Sequence, residues 1–227
     1  DTKEIEEWCI NNGIRFIEDS AQSLGSSLNG RKAGTIGECS SYSFNGNKVI
    51  AGISGGGMFM TDNKEHADYV KRVRRHGKDK DFGELGYNSK MFITNADIIQ
   101  YRLTQMPKWQ EKRNEIAAIY TKELKYDVIC QNVPVALEHN FHKFVIRFED
   151  KEQRKRVKDG LKSIGLNASI HYEKPLSQNS LYIKEYHRKD NCTNSQIASD
   201  TVMSLPIHAW LTDEEIDKIC NTILMLS

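Results

Sequence analysis

The chain has 227 residues, 38% hydrophobic and 28% charged, with Lys+Arg at 32, Asp+Glu at 31 and a net charge of +1. At roughly 150 residues per domain, that length suggests one large domain or a domain with a smaller companion. The totals show neither a polyanion-binding chain nor an acidic tail, the apolar share is enough for a core, and no run of 18 apolar residues is present to span a membrane.

The opening Asp1-Thr2-Lys3-Glu4 is not a signal peptide, and without an initiator Met the chain need not begin where its gene does. Five cysteines, Cys9, Cys39, Cys130, Cys192 and Cys220, are odd in number and widely spaced, with no CxxC pair. That spacing argues against a disulfide framework or a zinc site and for a reducing cytoplasm.

Ile5, Trp8 and Cys9 recur at helical spacing, and Asn11-Asn12-Gly13 stops that helix because Asn and Gly accept the left-handed conformation of a helix end. Ile14 to Ile17 reads as a short strand ending at Glu18-Asp19. Ser41 to Phe44 is a second strand, and Met58 to Thr61 a third, introduced by Gly55-Gly56-Gly57. Residues 64 to 75 suit a basic helix with Ala67, Val70 and Val73 on one side. Residues 77 to 90 are loop-like.

A long helical tract follows from about Thr94. Pro107 lacks the amide donor, so a break or kink is expected near Met106. Residues 125 to 140 are a plausible boundary, dividing the chain into 1–125 and 126–227. Beyond it, Phe141 to Phe148 and Asn167 to Tyr172 read as strands. Asp150 can cap a helix carrying Val157, Leu161 and Ile164. Thr212-Asp213-Glu214-Glu215 is a capping-box start for a last helix. The expectation is an α/β unit followed by a small α+β unit.

Several residues could carry chemistry. Asp19 ends a strand, where ligands of open α/β sheets collect, and a carboxylate there can hold a cation or a protonated ring nitrogen. The commoner role of a strand-end Asp is to cap the next turn. Lys48 also follows a strand, and in a desolvated pocket such an amine can form a Schiff base. Most lysines are solvated. The triple glycine fits no phosphate-loop spacing. The cluster from Lys71 to Lys80 could touch a phosphate or a nucleic acid, but charge runs usually solvate a helix face, and no aromatic RNA motif accompanies it. His139 and His142 make a poor zinc motif. His171-Tyr172 could face a site from a strand end.

Taken together, Glu18-Asp19-Ser20-Ala21-Gln22, Ser43-Phe44-Asn45-Gly46-Asn47-Lys48, Gly55-Gly56-Gly57-Met58, Gly86-Tyr87-Asn88-Ser89-Lys90, His171-Tyr172 and Leu205-Pro206-Ile207-His208 follow one order. In that order the chain resembles the DegT/StrS sugar aminotransferases over essentially its whole length. The resemblance implies part of the fold-type-I large domain, a mixed sheet with flanking helices, followed by a small α+β domain. It implies pyridoxal 5′-phosphate as cofactor and a nucleotide-linked keto sugar as substrate. Glutamate would be the amino donor, in amino-sugar and polysaccharide biosynthesis.

The same resemblance assigns roles to residues. Lys48 would bind the cofactor covalently and then act as general acid/base. Asp19 would pair with the pyridinium nitrogen, Gln22 would sit against the ring or its phenolic oxygen, and Ser43 would bind the phosphate. Asn88 would reach the phosphate of a neighbouring subunit, making a homodimer with shared sites, and Lys90 stands where many relatives have Arg. His171 and Tyr172 would meet substrate. No metal, nucleic acid or membrane partner is expected. Lys48 argues against the dehydratase subgroup, which has His there.

Ser177 stands where relatives often have His. Asn45-Gly46-Asn47-Lys48 with the triple glycine looks like enzymes aminating a 4-keto carbon, whereas Gly86 to Ser89 and Trp109 to Tyr120 partly resemble 3-keto enzymes, and the balance of the two leans to the 4-keto carbon. Relatives carry an N-terminal segment, with a Ser-Gly-Thr phosphate loop, ahead of the helix that opens this chain. The expectation is that residues 1–227 alone bind the cofactor weakly. The alternative is a catalytically incomplete or interaction module of the same fold.

Overall fold

The computed structural model describes residues 2–78, 83–186 and 191–227. The basic cluster's Asp79 and Lys80 lie outside the described residues. Contacts gather the chain into two compact units, one of residues 1–110 with 133–142 and the other of 111–132 with 143–227.

The first unit opens with α1 (Thr2–Asn11), which buries only Cys9. Gly13 (φ +64°) ends it in the left-handed region, where a side chain would be strained. Its main sheet has three strands in the order β1 (Ile17–Asp19), β4 (Cys39–Ser43), β5 (Gly57–Thr61). β1 and β4 run parallel, with Asp19 opposite Ser41, and β5 returns antiparallel, with Gly57 opposite Ser43. β1 starts three residues later than the run Ile14–Ile17 suggests. In it Glu18 is buried whereas Ile17 is 65% exposed, so polarity and burial are inverted. The inversion follows from the partners Glu18 finds, described below.

β2 (Ser27–Leu28) and β3 (Arg31–Lys32) form a hairpin, and β7 (Leu137–Glu138) pairs with the other edge of β2. The hairpin turns on Asn29 (φ 50°) and Gly30 (φ 79°), the positive pair that a two-residue turn demands. After β5, α2 (Lys64–Val73) is capped by Asn63, whose side chain accepts from the amides of Glu65 and His66. The core of this unit is Tyr42, Phe44, Ile50 and Ile99, with Leu24, Met60, Met91, Leu103, Met106 and Trp109 packed against it.

No break occurs at Met106. α3 (Ile93–Leu124) is one helix of 32 residues with Pro107 inside it. Pro107 is exposed, while Leu103, Met106 and Trp109 on the inner side are held by the core. The helix therefore tolerates one missing amide bond because packing on both sides of the proline offsets it.

The second unit holds an antiparallel sheet in the order β6 (Ile129–Cys130), β8 (Phe144–Arg147), β9 (Val202–Leu205). β8 is shorter than Phe141–Phe148 because Phe141 adopts a positive φ of 44° before it. α4 (Lys151–Ser163) starts at Asp150, whose carboxylate accepts from the Gln153 amide at 2.7 Å. It buries Val157 and Leu161, while Ile164 is half-exposed at its end. The stretch Asn167–Tyr172 is not a strand; only Ser169 bridges to Ser204.

After α4 come the short α5 (Ser180–Tyr186), α6 (Thr193–Thr201) and α7 (Asp213–Leu226). α7 starts with the Thr212–Glu215 capping box and buries Ile216, Ile219, Cys220 and Ile223. Arg113 and Tyr120, from the later half of α3, tie into this unit by donating to the carbonyls of Ile207 (2.8 Å) and Pro206 (2.9 Å). Burial holds the Tyr120 phenol far above its usual range and lowers the Arg113 guanidinium.

Candidate active site

The strand ends of the first unit gather the candidate residues. Period-two alternation puts Glu18 on the covered face of β1 and Asp19 on the open one. The Glu18 carboxylate accepts three peptide N–H groups, from Gly34 (2.8 Å), Ile36 (2.6 Å) and Gly37 (2.8 Å). Three donors satisfy a buried carboxylate without a counter-ion and fix the 34–37 loop to β1. Sequence reasoning missed Glu18. Its only signal is a charged residue where the strand pattern asks for an apolar one.

Asp19 is exposed, and its Oδ1 accepts the Ala21 amide at 3.1 Å, while the Ser20 amide donates to the Ser41 carbonyl at 2.9 Å. Asp19 is thus held by the turn it caps, which leaves its other oxygen with no partner among the described residues. One parallel strand away, Ser43 ends β4, and its hydroxyl accepts the Asn45 amide at 3.3 Å.

The loop that follows carries Lys48 and is tightly fixed. The Lys48 amide donates to the Asn45 carbonyl (2.9 Å), Gly52 to Phe44 (2.7 Å) and Phe44 to Gly56 (2.9 Å). Buried Asn95, on α3, reaches into the loop, accepting from Ile53 (2.7 Å) and donating to the Gly55 carbonyl (2.8 Å). A Cβ on Gly52 would lie 2.4 Å from the Gly55 oxygen and 2.5 Å from Asn95 Oδ1, so glycine is required there. Arg102 also donates to the Ala51 carbonyl.

Between this loop and the turn after β1 lies a small cleft lined by Ala21, Gln22, Leu24, Ser43, Lys48, Val49, Ile50, Asn140 and His142. Gln22, Ser43 and Lys48 therefore meet in one place, with Asp19 at the adjoining strand end. Lys48 is half-buried, and its ammonium has no hydrogen-bond or ion-pair partner among the described residues. Asn140 is a second residue that sequence reasoning missed. Its side chain donates to the carbonyls of Gln22 (2.8 Å) and Leu24 (3.0 Å) and accepts from the His142 amide (2.9 Å). A position more than a hundred residues away thus sets the Gln22 turn, and no local pattern announces it.

The other candidates lie elsewhere. Asn88 bridges to Arg75, the Ser89 amide donates to Arg74 (3.0 Å) and that of Tyr87 to Val73 (2.7 Å), so the segment lies along the end of α2, outside the cleft lining. Asn88 and Lys90 are both exposed. His171 and Tyr172 belong to the second unit. His171 Nδ1 lies 3.0 Å from the Ser204 hydroxyl, and burial, helped by the Lys143 charge, lowers its pKa. Tyr172 meets the His171 ring edge-on at 5.5 Å. His139 accepts the Phe141 amide at 2.9 Å and is lowered by burial. Among the described residues, no group of three His, Cys, Asp or Glu is placed to hold a metal ion.

The donor set suits a small aromatic aldehyde bearing a phosphate: a carboxylate with a free oxygen, a hydroxyl at a strand end, an unpaired amine, and Leu24, Val49 and Ile50 as apolar lining. Residues 1–224 match the DegT/DnrJ/EryC1/StrS aminotransferase family, and the chain belongs to that family. It is 28% identical over 214 residues to a UDP-N-acetyl-3-dehydro-alpha-D-glucosamine 3-aminotransferase of Acidithiobacillus ferrooxidans, covering 93% of this chain and 57% of that protein. It is also 28% identical to a dTDP-3-amino-3,6-dideoxy-alpha-D-galactopyranose transaminase of Aneurinibacillus thermoaerophilus, over 92% of this chain and 57% of that one. A crystal structure of a DegT/DnrJ/EryC1/StrS aminotransferase from Brucella abortus superposes with a TM-score of 0.89 at 26% identity, covering 99% of this chain and 60% of the other. The fold is that of these aminotransferases, and the chain spans about three-fifths of their length.

Proposed function

We propose that this chain supplies the strand-end half of a pyridoxal-phosphate site in a transaminase that aminates a nucleotide-linked keto sugar. The observation that carries the proposal is the convergence of Asp19, Gln22, Ser43 and Lys48 at the carboxyl ends of two adjacent parallel strands. Membership of the family, whose cofactor is pyridoxal phosphate, supports it.

When bound, pyridoxal phosphate supplies an aldehyde for an amine to condense with and a protonated ring that accepts the electron pair left by C–H cleavage. In this reading Lys48 provides the amine that holds the aldehyde, and then the base that moves a proton at the amino-bearing carbon. The fixed 44–57 loop keeps that amine in place. The free oxygen of Asp19 would accept from the protonated ring nitrogen and so hold the proton there. Gln22, its turn set by Asn140, would bind the ring's oxygen. The Ser43 hydroxyl donates to a phosphate oxygen. His171 and Tyr172 serve the sugar. Asn88 serves the phosphate of a second subunit in a homodimer, which accounts for its place outside its own cleft.

We assign glutamate as amino donor by resemblance, and the sugar's carbon 3 as the site of amination. Two relatives named for 3-amino or 3-dehydro sugars support carbon 3 over the carbon-4 likeness of the 45–57 loop. The cytoplasm, where free thiols persist, is the proposed compartment.

The test is amination of UDP- and dTDP-linked 3-keto sugars by the enzyme and by its Lys48→Ala variant. Turnover that vanishes in the variant, while its folded-state circular dichroism is unchanged, supports the assignment. Wild-type turnover in the variant rejects it.

A further inference from the structure

The balanced net charge hides a local imbalance in the second unit. Lys151, Arg154, Lys155, Lys158 and Lys162 recur at spacings of three, four and seven and so share one face of α4. With Asp159, Asn167, Ala168 and Ile170 they line a cleft of about 310 Å³.

Three of these cations are engaged. Arg154 is buried and donates to the carbonyls of Ser199 (2.5 Å) and Val202 (3.5 Å). Lys155 pairs with Asp159 at 2.7 Å, and Lys151 lies 3.7 Å from Asp200. Lys158 and Lys162 have no hydrogen-bond or ion-pair partner among the described residues. Asp159 is the one acid in the lining. Its carboxyl is held below the usual range, first by the hydrogen bond from Lys155, with Lys162 and Lys158 adding weaker attraction.

The opposite wall is the segment where a strand was expected. Ser169 exchanges both backbone bonds with Ser204, at 3.1 and 2.8 Å. In an antiparallel pair, the residues flanking a doubly bonded one turn their N–H groups to the other side, here away from β9. Accordingly, the amides of Ala168 and Ile170 have no partner among the described residues, yet both residues line the cleft.

Lysines on an exposed helix face are ordinarily just solvated. Here two unpaired ammonium groups and the two partnerless N–H groups of Ala168 and Ile170 border one cleft, with the carbonyls of the same two residues beside them. A neutral ligand would leave the charges unused, and a lone carboxylate would reach too few donors. An anion with several charged oxygens along a chain can meet both ammonium groups and both N–H groups at once.

We propose that this cleft binds an oligophosphate, free or as the diphosphate of a nucleotide, between Lys158, Lys162 and the peptide N–H groups of Ala168 and Ile170. The site lies within the second unit and does not depend on the roles assigned to Lys48 and Asp19.

Calorimetric titration of the 227-residue chain with inorganic tripolyphosphate and, separately, with UDP tests this. The expected result is saturable binding of one ligand per chain that weakens as sodium chloride is raised. The Lys158→Ala/Lys162→Ala variant, its fold checked by circular dichroism, should bind about tenfold or more weakly. Lys174→Ala, an exposed lysine outside the cleft, should bind as the wild type. Tighter UDP than tripolyphosphate identifies the nucleotide as the source, and the reverse order identifies the free anion. Absence of saturable binding to both probes, an undiminished double variant, or an equal loss in Lys174→Ala would overturn the proposal.

Discussion

Glu18 and Asp19 are chemically almost identical neighbours with opposite duties, and strand alternation separates them. Glu18 faces inward to three peptide donors, while Asp19 faces outward with an oxygen to spare. Glu18→Ala would leave those three donors buried and unpaired, each at a cost of about 1–3 kcal/mol, partly relieved by water entry. We expect a loss of roughly 2–4 kcal/mol in urea unfolding. A change below about 0.5 kcal/mol, the range of an ordinary surface substitution, would remove Glu18 from the scaffold.

Asp19→Asn keeps an acceptor for the Ala21 amide, so stability should hold. Proton transfer should slow by roughly a hundredfold or more, because an amide cannot hold a ring nitrogen protonated. Near-normal turnover would count against that role. Asp19, which ends a strand, and Lys48, which follows one, are ordinary by position and stand out in the sequence only through the order of the motifs around them. Asn95 and Asn140 do not, because their work is done on backbone groups remote in sequence.

Elements were legible where the signal was local. Asp150 and Thr212 mark helix starts by residue type alone, and both cap as expected. Thr212→Ala should cost about 1 kcal/mol, read from thermal unfolding, and a neutral result would mean that Glu215 alone suffices. The Asn29-Gly30 hairpin is written in the sequence too, but its strands are only two residues each, too short for alternation to show.

Pro107 misleads in the other direction. Local propensity asks for a break or a kink, and tertiary packing of Leu103, Met106 and Trp109 keeps the helix unbroken. Pro107→Ala should therefore restore an amide donor for the Leu103 carbonyl and stabilise the protein by about 1–3 kcal/mol. Destabilisation would show that the ring itself is needed. Asn167–Tyr172 has strand-like residues, but only Ser169 pairs with β9 through its backbone. Pairing, which decides strand formation, is not visible in a single segment.

At the scale of the molecule, the mixed α/β fold and the family follow from motifs in a fixed order, whereas the division into units does not, because residues 133–142 return to the first unit. What the sequence hid is charge placement. A net charge of +1 is an average that conceals a cationic face on α4, where Lys158 and Lys162 have no ion-pair partner among the described residues. The proposed homodimer makes its own prediction. Mixing Lys48→Ala with Asn88→Ala subunits should raise activity above either alone, since hybrids contain one intact site. No rise after demonstrated subunit exchange would assign Asn88 to its own chain.

In the proposed function Lys48 holds the cofactor at a site completed by Asp19 and Ser43. Borohydride reduction of the protein loaded with pyridoxal phosphate, followed by peptide mapping, addresses it most directly. A single modified peptide is expected, carrying the label on Lys48 and lost in Lys48→Ala. Label on another lysine, or the same yield of modified peptide from Lys48→Ala, would contradict it.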